Sequence, residues 1–267
     1  MLAFNHLGQL GRLGNQMFQY ASLRGIARNR GYDFCIPNHD AVLSDPYGFT
    51  VKIELFYPFE MVHVGKQNIK ILDRGYAPVV QEKYFHYDQI LHNMCPDEIS
   101  LAGFFQSEKY FKNVEDIIRQ DFKFKEDIRQ PCEEMMSQLD GQVVGLHIRR
   151  GDYLTNPNHC ALDLSYYEQA LKRFPDDATV IVFSDDSEWC HKQSLFDDDR
   201  FMISENDDGY VDQCLMSMCS DFIIANSSFS WWAAWLGNRG KVIAPKKWFP
   251  TDDKDTSDVY CEGWEVI

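Results

Sequence analysis

Short apolar runs alternate with segments of helical spacing through the second half of the chain. The apolar runs cover residues 143–148, 179–183, 200–203, 222–225 and 241–244. Between them lie segments such as 165–174 and 209–219, which carry apolar residues three and four positions apart. Strict alternation of this kind is typical of a parallel sheet covered by helices on both faces. It predicts a doubly wound, Rossmann-type α/β fold.

The first half of the chain begins with the same pattern and then loses it. Residues 1–7 predict a strand, and after a glycine-rich turn the spacing predicts a helix from about Asn15 to Asn29. Residues 33–37 predict a second strand. Beyond residue 40 the sequence turns into aromatic-rich loops and short elements, so the pattern there predicts no regular order.

Chain length and one polar segment predict two domains. The chain has 267 residues, which is long for a single hydrophobic core. Residues 125–142 are polar, contain Pro131 and precede the first strand of the regular half. We therefore predict Rossmann-like domains over residues 1–130 and 131–267. The acidic, aromatic tail after about residue 245 is expected to pack at the domain junction.

Composition and charge exclude several classes of function. Apolar residues make up 45% and charged residues 25%, as in a globular protein rather than a disordered one. The net charge is −15, from 26 basic and 41 acidic residues, and this field repels nucleic acid. We therefore expect no nucleic-acid partner.

The sequence also indicates a cytoplasmic protein. It shows no signal-peptide pattern and no run of about 18 apolar residues, so we expect no transmembrane segment. Any membrane contact is expected to be peripheral, at the inner face. The eight cysteines are spread thinly without a C-x-x-C pair, which indicates reduced, mostly buried thiols and no zinc site.

Two adjacent arginines follow the first strand of the second half, within VVGLHIRRGDYL. In an open parallel sheet, ligands bind beyond the carboxyl ends of the strands. Alternation along a strand sends Arg149 and Arg150 to opposite sides, so one of them can face a ligand there. A guanidinium is well suited to binding phosphate oxygens through two hydrogen bonds. The structural alternative is an ion pair with an acid such as Asp152.

A second candidate phosphate site is the turn Asn226-Ser227-Ser228, between a strand and a helix. Asn and Ser are favoured helix N-caps, and a helix start offers backbone N–H groups and a positive dipole end. This helix start is expected to open into the same crevice as Arg149. Ordinary capping remains an alternative, and the tryptophans of the following WWAAW segment are predicted to pack in the core.

Asp185 and Asp186 directly follow another strand of the second half. Such carboxylates can accept hydrogen bonds from a ribose or from the N–H edge of a base. They can equally cap the following helix, and the residues alone leave both possibilities open.

Three glycines spaced by three, Gly8, Gly11 and Gly14, precede the first predicted helix. This spacing is not the G-x-G-x-x-G dinucleotide fingerprint. A glycine-rich turn before a helix that starts at Asn15-Gln16 would still bring the backbone close to a ligand.

Together these stretches resemble the α-1,2-fucosyltransferases, a family that includes bacterial lipopolysaccharide enzymes and the blood-group H enzymes. The resemblance rests on GRLGNQMFQYA (11–21), HIRRGDY (147–153), YYEQAL (166–171), FSDDSEWC (183–190), DFIIANSSFSWWAAWL (221–236) and VIAPKKWF (242–249). The motifs stand in the family's order over most of the chain, whereas residues 40–125 match loosely.

The resemblance implies a GT-B fold, with two facing Rossmann-like domains that bind the acceptor on the N-terminal one and GDP-fucose mainly on the C-terminal one. It implies a galactoside 2-α-L-fucosyltransferase that inverts the anomeric carbon and needs no metal or other cofactor. Its partners would be GDP-fucose and a galactoside-containing oligosaccharide or glycolipid. Neither the acceptor, the general base nor the oligomeric state can be read from the sequence.

The resemblance also implies roles for single residues. Arg149 aligns with the first arginine of the family motif and is the predicted catalytic cation, because donors aimed at the β-phosphate stabilise the transition state. Arg150 would brace it, and Asp152 would hold the loop or a ribose. His147 would support Arg149 or the diphosphate, with a packed strand histidine as the alternative. The other predicted donor-binding residues are Asp185 for the nucleoside, Asn226, Ser227 and Ser228 for the phosphates, and Asn15 and Gln16 from the N-terminal domain.

Two positions depart from the family pattern. Arg12 stands where the family usually has a second glycine, and Ser220-Asp221 replaces the usual Lys-His before the IIANS strand. Any role of that Lys-His pair therefore does not carry over to this chain.

The sequence is also compatible with two other functions. One is a metal-dependent nucleotide-sugar glycosyltransferase, which chelation would inactivate. The other is a non-catalytic module for a nucleotide sugar or glycan, which would bind GDP-fucose without releasing GDP.

Overall fold

The computed structural model describes residues 1–39, 41–44, 48, 50–64, 69–72 and 78–267. The chain divides into two compact units. The first unit comprises Met1–Lys125 and Lys254–Cys261, and the second comprises Glu126–Asp253 and Glu262–Ile267. The C-terminal segment therefore contributes residues to both units.

Strands and helices alternate through most of the described chain, as the apolar pattern predicts. The described strands are β1 (Leu2–Ala3), β2 (Phe34–Pro37), β3 (Leu43–Ser44), β4 (Thr50–Val51), β5 (Ile69–Leu72), β6 (Val79–Gln81), β7 (Ile99–Ala102), β8 (Val143–Ile148), β9 (Thr179–Ser184), β10 (Phe201–Ile203), β11 (Asp221–Ile223), β12 (Val242–Ala244) and β13 (Glu265–Val266). The described helices are α1 (Leu13–Arg30), α2 (Gln89–Met94), α3 (Glu115–Asp121), α4 (Glu126–Met136), α5 (Leu164–Leu171), α6 (Ser187–Cys190), α7 (Gly209–Met218) and α8 (Ser228–Gly237).

The sheet of the second unit is parallel and has the described order β10-β9-β8-β11-β12-β13. Its first strand in the sequence, β8, lies in the middle, and all of its residues are buried. The chain then builds outward through β9 on one side and through β11 on the other. The strand order therefore reverses between β8 and β11, which is where doubly wound sheets bind their ligands.

The tryptophans of α8 pack in the core of the second unit, as predicted. Trp231 and Trp232 are completely buried, with their ring centroids 5.0 Å apart and edge to face. Trp264 adds a third ring 5.5 Å from Trp231. Burying rings of this size fixes α8 firmly, and with it the turn that precedes the helix.

Part of the polar segment at residues 125–142 folds as helix α4, although its sequence indicates a connecting stretch. Pro131 lies inside this helix. Its one buried residue, Cys132, donates its thiol to the carbonyls of Ile128 (3.2 Å) and Val211 (3.6 Å). The sequence of this segment is polar because the other residues of the helix are at least partly exposed to solvent.

The sheet of the first unit is also parallel, with the described order β5-β2-β1-β7-β6. Strand β1 is shorter than the predicted residues 1–7, because the chain turns after Phe4, whose carbonyl accepts from the N–H of Leu7 (3.1 Å). Helix α1 slightly exceeds the predicted range. The aromatic-rich region contains an antiparallel hairpin of β3 and β4, and parts of it lie outside the described residues.

A fully buried carboxylate, Asp121, lies at the centre of the first unit. It accepts a hydrogen bond from the Tyr20 hydroxyl (2.6 Å), one from His63 Nδ1 (2.7 Å) and one from the His63 backbone N–H (3.1 Å). It also forms an ion pair with Arg24, and burial lowers the pKa of that guanidinium. An ion pair taken out of water in this way stabilises the fold only while both partners are present.

The sequence led us to expect reduced, mostly buried cysteines and no transmembrane segment. All eight cysteines fall within the described ranges, where they are free thiols, and six of them are buried, as predicted. In the parts of the chain described above, no helix combines the length and the apolar character needed to span a bilayer.

Candidate active site

The candidate site of the second unit lies where β8 and β11 end. Arg149 follows β8, Asn226 follows β11, and the two strands are neighbours in the sheet. Tyr153 joins the two motifs: its hydroxyl donates to the Asn226 carbonyl (3.2 Å), and the Arg149 guanidinium lies 5.3 Å from its ring centroid. The structure thus brings together the two motifs that the sequence assigns to phosphate binding.

Two carboxylates hold the Arg149 side chain. Asp152 forms an ion pair with Nη2, and Asp185 Oδ2 lies 3.0 Å from Nη1. The side chain is 22% exposed, so it remains accessible to a ligand. The predicted structural alternative, an ion pair with Asp152, is therefore present. A diphosphate bound here would share the guanidinium with these carboxylates.

Arg150 makes different contacts from its neighbour. Its Nε lies 3.0 Å from Asp186 Oδ2, and its guanidinium carbon lies 3.8 Å from the ring centroid of Trp189. A guanidinium stacked on an indole and paired with a carboxylate is held in one orientation. These contacts support the predicted role of Arg150 as a brace.

Asp185 and Asp186 make different contacts. The sequence left both nucleoside binding and helix capping open for them. Asp186 caps α6 by accepting from the backbone N–H of Trp189 (3.1 Å). Asp185 Oδ1 accepts from the backbone N–H of Arg150 (2.8 Å), and its other oxygen faces Arg149. A Cβ added to Gly151 would lie 2.3 Å from Asp185 Oδ2, so this close approach depends on glycine. Asp185 therefore positions the arginine loop, and its nucleoside role remains a prediction.

His147 packs in the core, as in the alternative of a strand histidine. It is 4% exposed, its ring lies 4.9 Å from that of Phe229, and its Nδ1 shares a 2.9 Å hydrogen bond with the Ser230 hydroxyl. Burial, together with the charge of Arg149, lowers its pKa to about 3, so the ring is neutral near pH 7. We therefore infer that His147 positions the start of α8, and its catalytic role stays a prediction.

We expect His147→Ala to lower the free energy of unfolding by about 2–4 kcal/mol, because it leaves a cavity and removes a buried hydrogen bond to Ser230. Any transferase activity of the kind that the resemblance implies should persist at permissive temperature, since the ring is buried. Urea unfolding and initial rates measure the two effects, with the exposed His191→Ala as the control. A His147→Ala protein as stable as the His191→Ala control would contradict the positioning role.

The sequence pattern did not single out Ser230, which organises the turn before α8. Its hydroxyl accepts from the backbone N–H of Ala225 (3.2 Å) and bonds His147. Ser227 caps the helix by accepting from the N–H of Phe229 (3.3 Å). The signal that could have revealed Ser230 is a small polar residue inside an otherwise apolar helix, two positions after the NSS turn.

Asn226 anchors two loops. It is 3% exposed, and its Nδ2 donates to the carbonyls of Cys160 and Trp248, both at 3.0 Å. Its Oδ1 is buried and has no hydrogen-bond partner within the described chain. Phosphate binding by this motif stays a prediction. It would fall to the backbone at the start of α8, including Ser228, whereas Asn226 and Ser227 hold this turn in place.

Asn15 and Gln16 belong to the first unit. Gln16 is buried: its Nε2 donates to the Lys52 carbonyl (3.1 Å), and its Oε1 accepts from the backbone N–H of Glu54 (2.7 Å). Both polar atoms thus bind the backbone, and we reassign Gln16 to structure. Asn15 is partly exposed and accepts from Gln106 Nε2 (2.7 Å), so it remains a candidate for ligand contact.

The two departures from the family pattern have different surroundings. Arg12 is exposed and precedes α1 without a side-chain cap. Asp221 is buried and accepts from Gln142 Nε2 (2.7 Å) and from the backbone N–H of Lys241 (2.6 Å). Asp221 therefore joins neighbouring strands of the sheet, which gives it a structural role.

Among the described ranges, no three or more His, Cys, Asp or Glu side chains are grouped so that they could hold a metal ion. The metal-independent chemistry implied by the sequence stays a prediction, which chelation tests directly.

Solved structures with the same fold include fucosyltransferases. NodZ α-1,6-fucosyltransferase soaked with GDP-fucose matches with a TM-score of 0.57 and 14% identity, over 92% of this chain and 94% of that one. POFUT1 in complex with GDP matches with a TM-score of 0.55 and 15% identity, over 89% and 94%. The chain therefore has the GT-B fold of nucleotide-sugar glycosyltransferases, as predicted.

A sequence model described as glycosyl transferase family 11 matches residues 3–267, and the chain belongs to this family. The Escherichia coli O-antigen biosynthesis glycosyltransferase WbnK is 27% identical, over 95% of this chain and 97% of the relative. The Escherichia coli α-1,2-colitosyltransferase is 29% identical, over 96% of both. The Bos taurus galactoside α-(1,2)-fucosyltransferase 1 is 29% identical, over 85% of this chain and 64% of the relative. The resemblance to α-1,2-fucosyltransferases is thereby confirmed.

Proposed function

We propose that the protein transfers L-fucose from GDP-fucose to the 2-hydroxyl of a terminal galactoside, with inversion at the anomeric carbon. The observation that carries the proposal is the placement of Arg149 beside the start of α8, at the reversal of strand order in the second unit. Membership of glycosyltransferase family 11 supports an enzymatic role, and the named relatives support the α-1,2 linkage.

The proposed chemistry places negative charge beside Arg149 and the start of α8. As the bond between the anomeric carbon and the β-phosphate oxygen breaks, the electron pair goes to GDP. The Arg149 guanidinium and the backbone N–H groups at the start of α8 would stabilise that charge. Asp185 and Asp152 hold the guanidinium in position, so little reorganisation is needed as the charge develops.

A second candidate donor is nucleotide-activated colitose. The relative that is 29% identical over 96% of both chains is named an α-1,2-colitosyltransferase. The arginine and helix-start contacts proposed here address the diphosphate, which two such donors would share. They do not distinguish one sugar from another, so the donor must be tested directly.

The test is an assay of purified protein with GDP-fucose and with activated colitose, against lactose, N-acetyllactosamine and lacto-N-biose. We expect GDP release that depends on the acceptor, and an α-1,2-linked fucosyl product by linkage analysis. Tight GDP-fucose binding without GDP release for any acceptor would instead favour a non-catalytic module.

Chelation provides the second arm of this assay. We expect the rate of transfer to be unchanged, within about twofold, after EDTA treatment, because arginine and helix-start N–H groups supply the positive charge. Loss of transfer on chelation and its recovery with Mn²⁺ would show that a metal-dependent mechanism operates instead.

A further inference from the structure

The first unit has its own reversal of strand order, between β1 and β7. By the rule used for the second unit, a ligand is expected beyond the carboxyl ends of these strands. The chain leaves β7 through Gly103 and Phe104. Glu82 follows the neighbouring strand β6, and its backbone N–H donates to the Ala102 carbonyl (2.8 Å). A carboxylate thus stands at the predicted ligand-binding edge of this sheet.

The turn after β7 is shaped around the Glu82 carboxylate. The backbone N–H of Phe104 donates to Oε2 (2.7 Å), and that of Phe105 donates to Oε1 (2.9 Å). Gly103 has a φ of 151° and Phe105 a φ of 54°, which is unusual for a residue with a side chain. A Cβ on Gly103 would lie 2.4 Å from the Cβ of Glu82. The backbone of this turn is therefore strained, and in this conformation both N–H groups bind the carboxylate.

The carboxylate keeps capacity for a further donor. Its two oxygens offer about four acceptor positions, of which the backbone occupies two. Glu82 is half-buried, so a hydroxyl can reach the remaining positions. Two exposed rings belong to residues near Glu82: Phe104, whose backbone bonds the carboxylate, is 39% exposed, and Tyr84, two positions along the chain, is 54% exposed. Rings of this kind give an apolar surface on which the C–H face of a sugar can pack.

The surroundings of Glu82 favour its protonated form more than usual. Burial raises its pKa from about 4.5 to about 7, although the two backbone N–H groups oppose the shift. The loop after β7 contributes uncharged Phe104 and Phe105. Tyr110, from the short 3-10 helix Glu108–Tyr110, also interacts with the Glu82 charge, and burial raises the pKa of its own hydroxyl, so it stays neutral. A carboxylate that titrates near neutral pH is well matched to accept a proton.

We propose that Glu82 accepts the proton of the galactoside 2-hydroxyl and that Phe104 packs against the galactose ring. This proposal rests on the proposed function. As the acceptor oxygen bonds to the anomeric carbon of fucose, its proton passes to a Glu82 oxygen. The bond from the anomeric carbon to the β-phosphate oxygen breaks, and GDP leaves with the electron pair. Glu82 then returns the proton to water.

Asp88 provides a matched control, because it is a nearby carboxylate with a purely structural contact. It caps α2 by accepting from the backbone N–H of Leu91 (2.9 Å). Glu82→Gln leaves one side-chain oxygen for two backbone N–H donors, whereas Asp88→Asn keeps an oxygen for the single Leu91 N–H. A proton-transfer role is expected for Glu82 only, so the comparison separates catalysis from local structure.

The experiment measures kcat and KM against pH for Glu82→Gln, Glu82→Asp, Phe104→Ala and Asp88→Asn. We expect Glu82→Gln to lower kcat about 10²–10⁴-fold, with GDP affinity unchanged, and Glu82→Asp to restore part of it. The acidic limb of the wild-type profile, near pH 7, should be lost in Glu82→Gln. Phe104→Ala should raise KM for the galactoside alone. Asp88→Asn should change thermal stability little, because Asn caps a helix as well as Asp does, and should leave the pH profile unchanged.

Thermal unfolding gives a readout of the same carboxyl group that does not depend on activity. The fold favours the protonated form of Glu82. The free energy of unfolding of the wild type should therefore decrease, relative to Glu82→Gln, as the pH rises from 4.5 to 7. Wild-type transfer with an unaltered kcat and pH profile in Glu82→Gln would overturn this inference and leave the proposed function intact. Absence of transfer by the wild type would instead overturn the proposed function.

Discussion

Arg149→Ala is expected to reduce fucosyl transfer by about 10³-fold or more while the protein remains folded. Removing a single preorganised donor to a developing negative charge typically costs two to three orders of magnitude in rate. Arg149 supplies a full charge and two donor groups, so its loss should lie at the upper end of that range. The effect should fall on kcat more than on KM, because the charge develops on the leaving phosphate.

Removing Arg149 should also weaken the binding of the diphosphate. Asp152 and Asp185 both pair with this guanidinium, and without it they would repel a bound diphosphate. Arg149→Lys keeps the charge but loses the planar fork, and we expect it to recover only part of the rate. The additional variant Arg149→Ala/Asp152→Asn should be less impaired in GDP binding than Arg149→Ala alone.

Arg129→Ala is the matched control for this series. Arg129 lies in the same unit, is 28% exposed and also pairs with two acids, Glu126 and Glu133. Those pairs are on the surface of α4, so their loss should change stability by less than about 1 kcal/mol and leave transfer unchanged. Calorimetry with GDP and single-turnover kinetics measure binding and chemistry separately. Normal turnover by folded Arg149→Ala would rule out the catalytic role.

Asp121→Asn should destabilise the first unit by about 3–5 kcal/mol, the usual cost of breaking a buried ion pair from one side. The amide keeps the size of the side chain but removes the negative charge that compensates Arg24. One amide hydrogen would also face a donor, since Tyr20 and His63 both bond to these oxygens. The loss therefore comes from an uncompensated charge and from mismatched hydrogen bonds rather than from a cavity.

Urea unfolding followed by tyrosine and tryptophan fluorescence measures this loss. Asp116→Asn, on the exposed face of the same helix α3, is the control, and we expect a change of about 0.5 kcal/mol there. Equal effects of the two substitutions would show that the buried ion pair contributes nothing specific to the first unit.

The order of elements in the second unit could be predicted because local pattern and packing agree there. Strand β8 lies between two strands and is buried along its whole length, so it appears in the sequence as an unbroken apolar run. Helix α4 was missed because most of its residues face solvent and their polarity resembles that of a linker. The ion pair of Asp121 and Arg24 joins residues 97 positions apart, a distance at which no periodicity gives a signal.

The candidate site was predicted in its location more than in its details. Arg149 and the NSS turn could be found because strand ends and helix caps leave local signatures. The sequence could not show that His147 is buried against Ser230, because a histidine in a strand looks the same whether it packs or binds. In the first unit, the environment of Glu82 left no local signal either, since it depends on the turn of Gly103 and Phe105 after the neighbouring strand.

The division of the C-terminal segment between the two units has a consequence for biosynthesis. Lys254–Cys261 belongs to the first unit, where Asp258 accepts from the Tyr87 backbone N–H (2.9 Å) and pairs with Lys109. Strand β13 then completes the sheet of the second unit beside β12. During translation, residues 254–261 of the first unit therefore emerge only after nearly the whole of the second unit has been synthesised. The first unit cannot be completed before most of the second has been made.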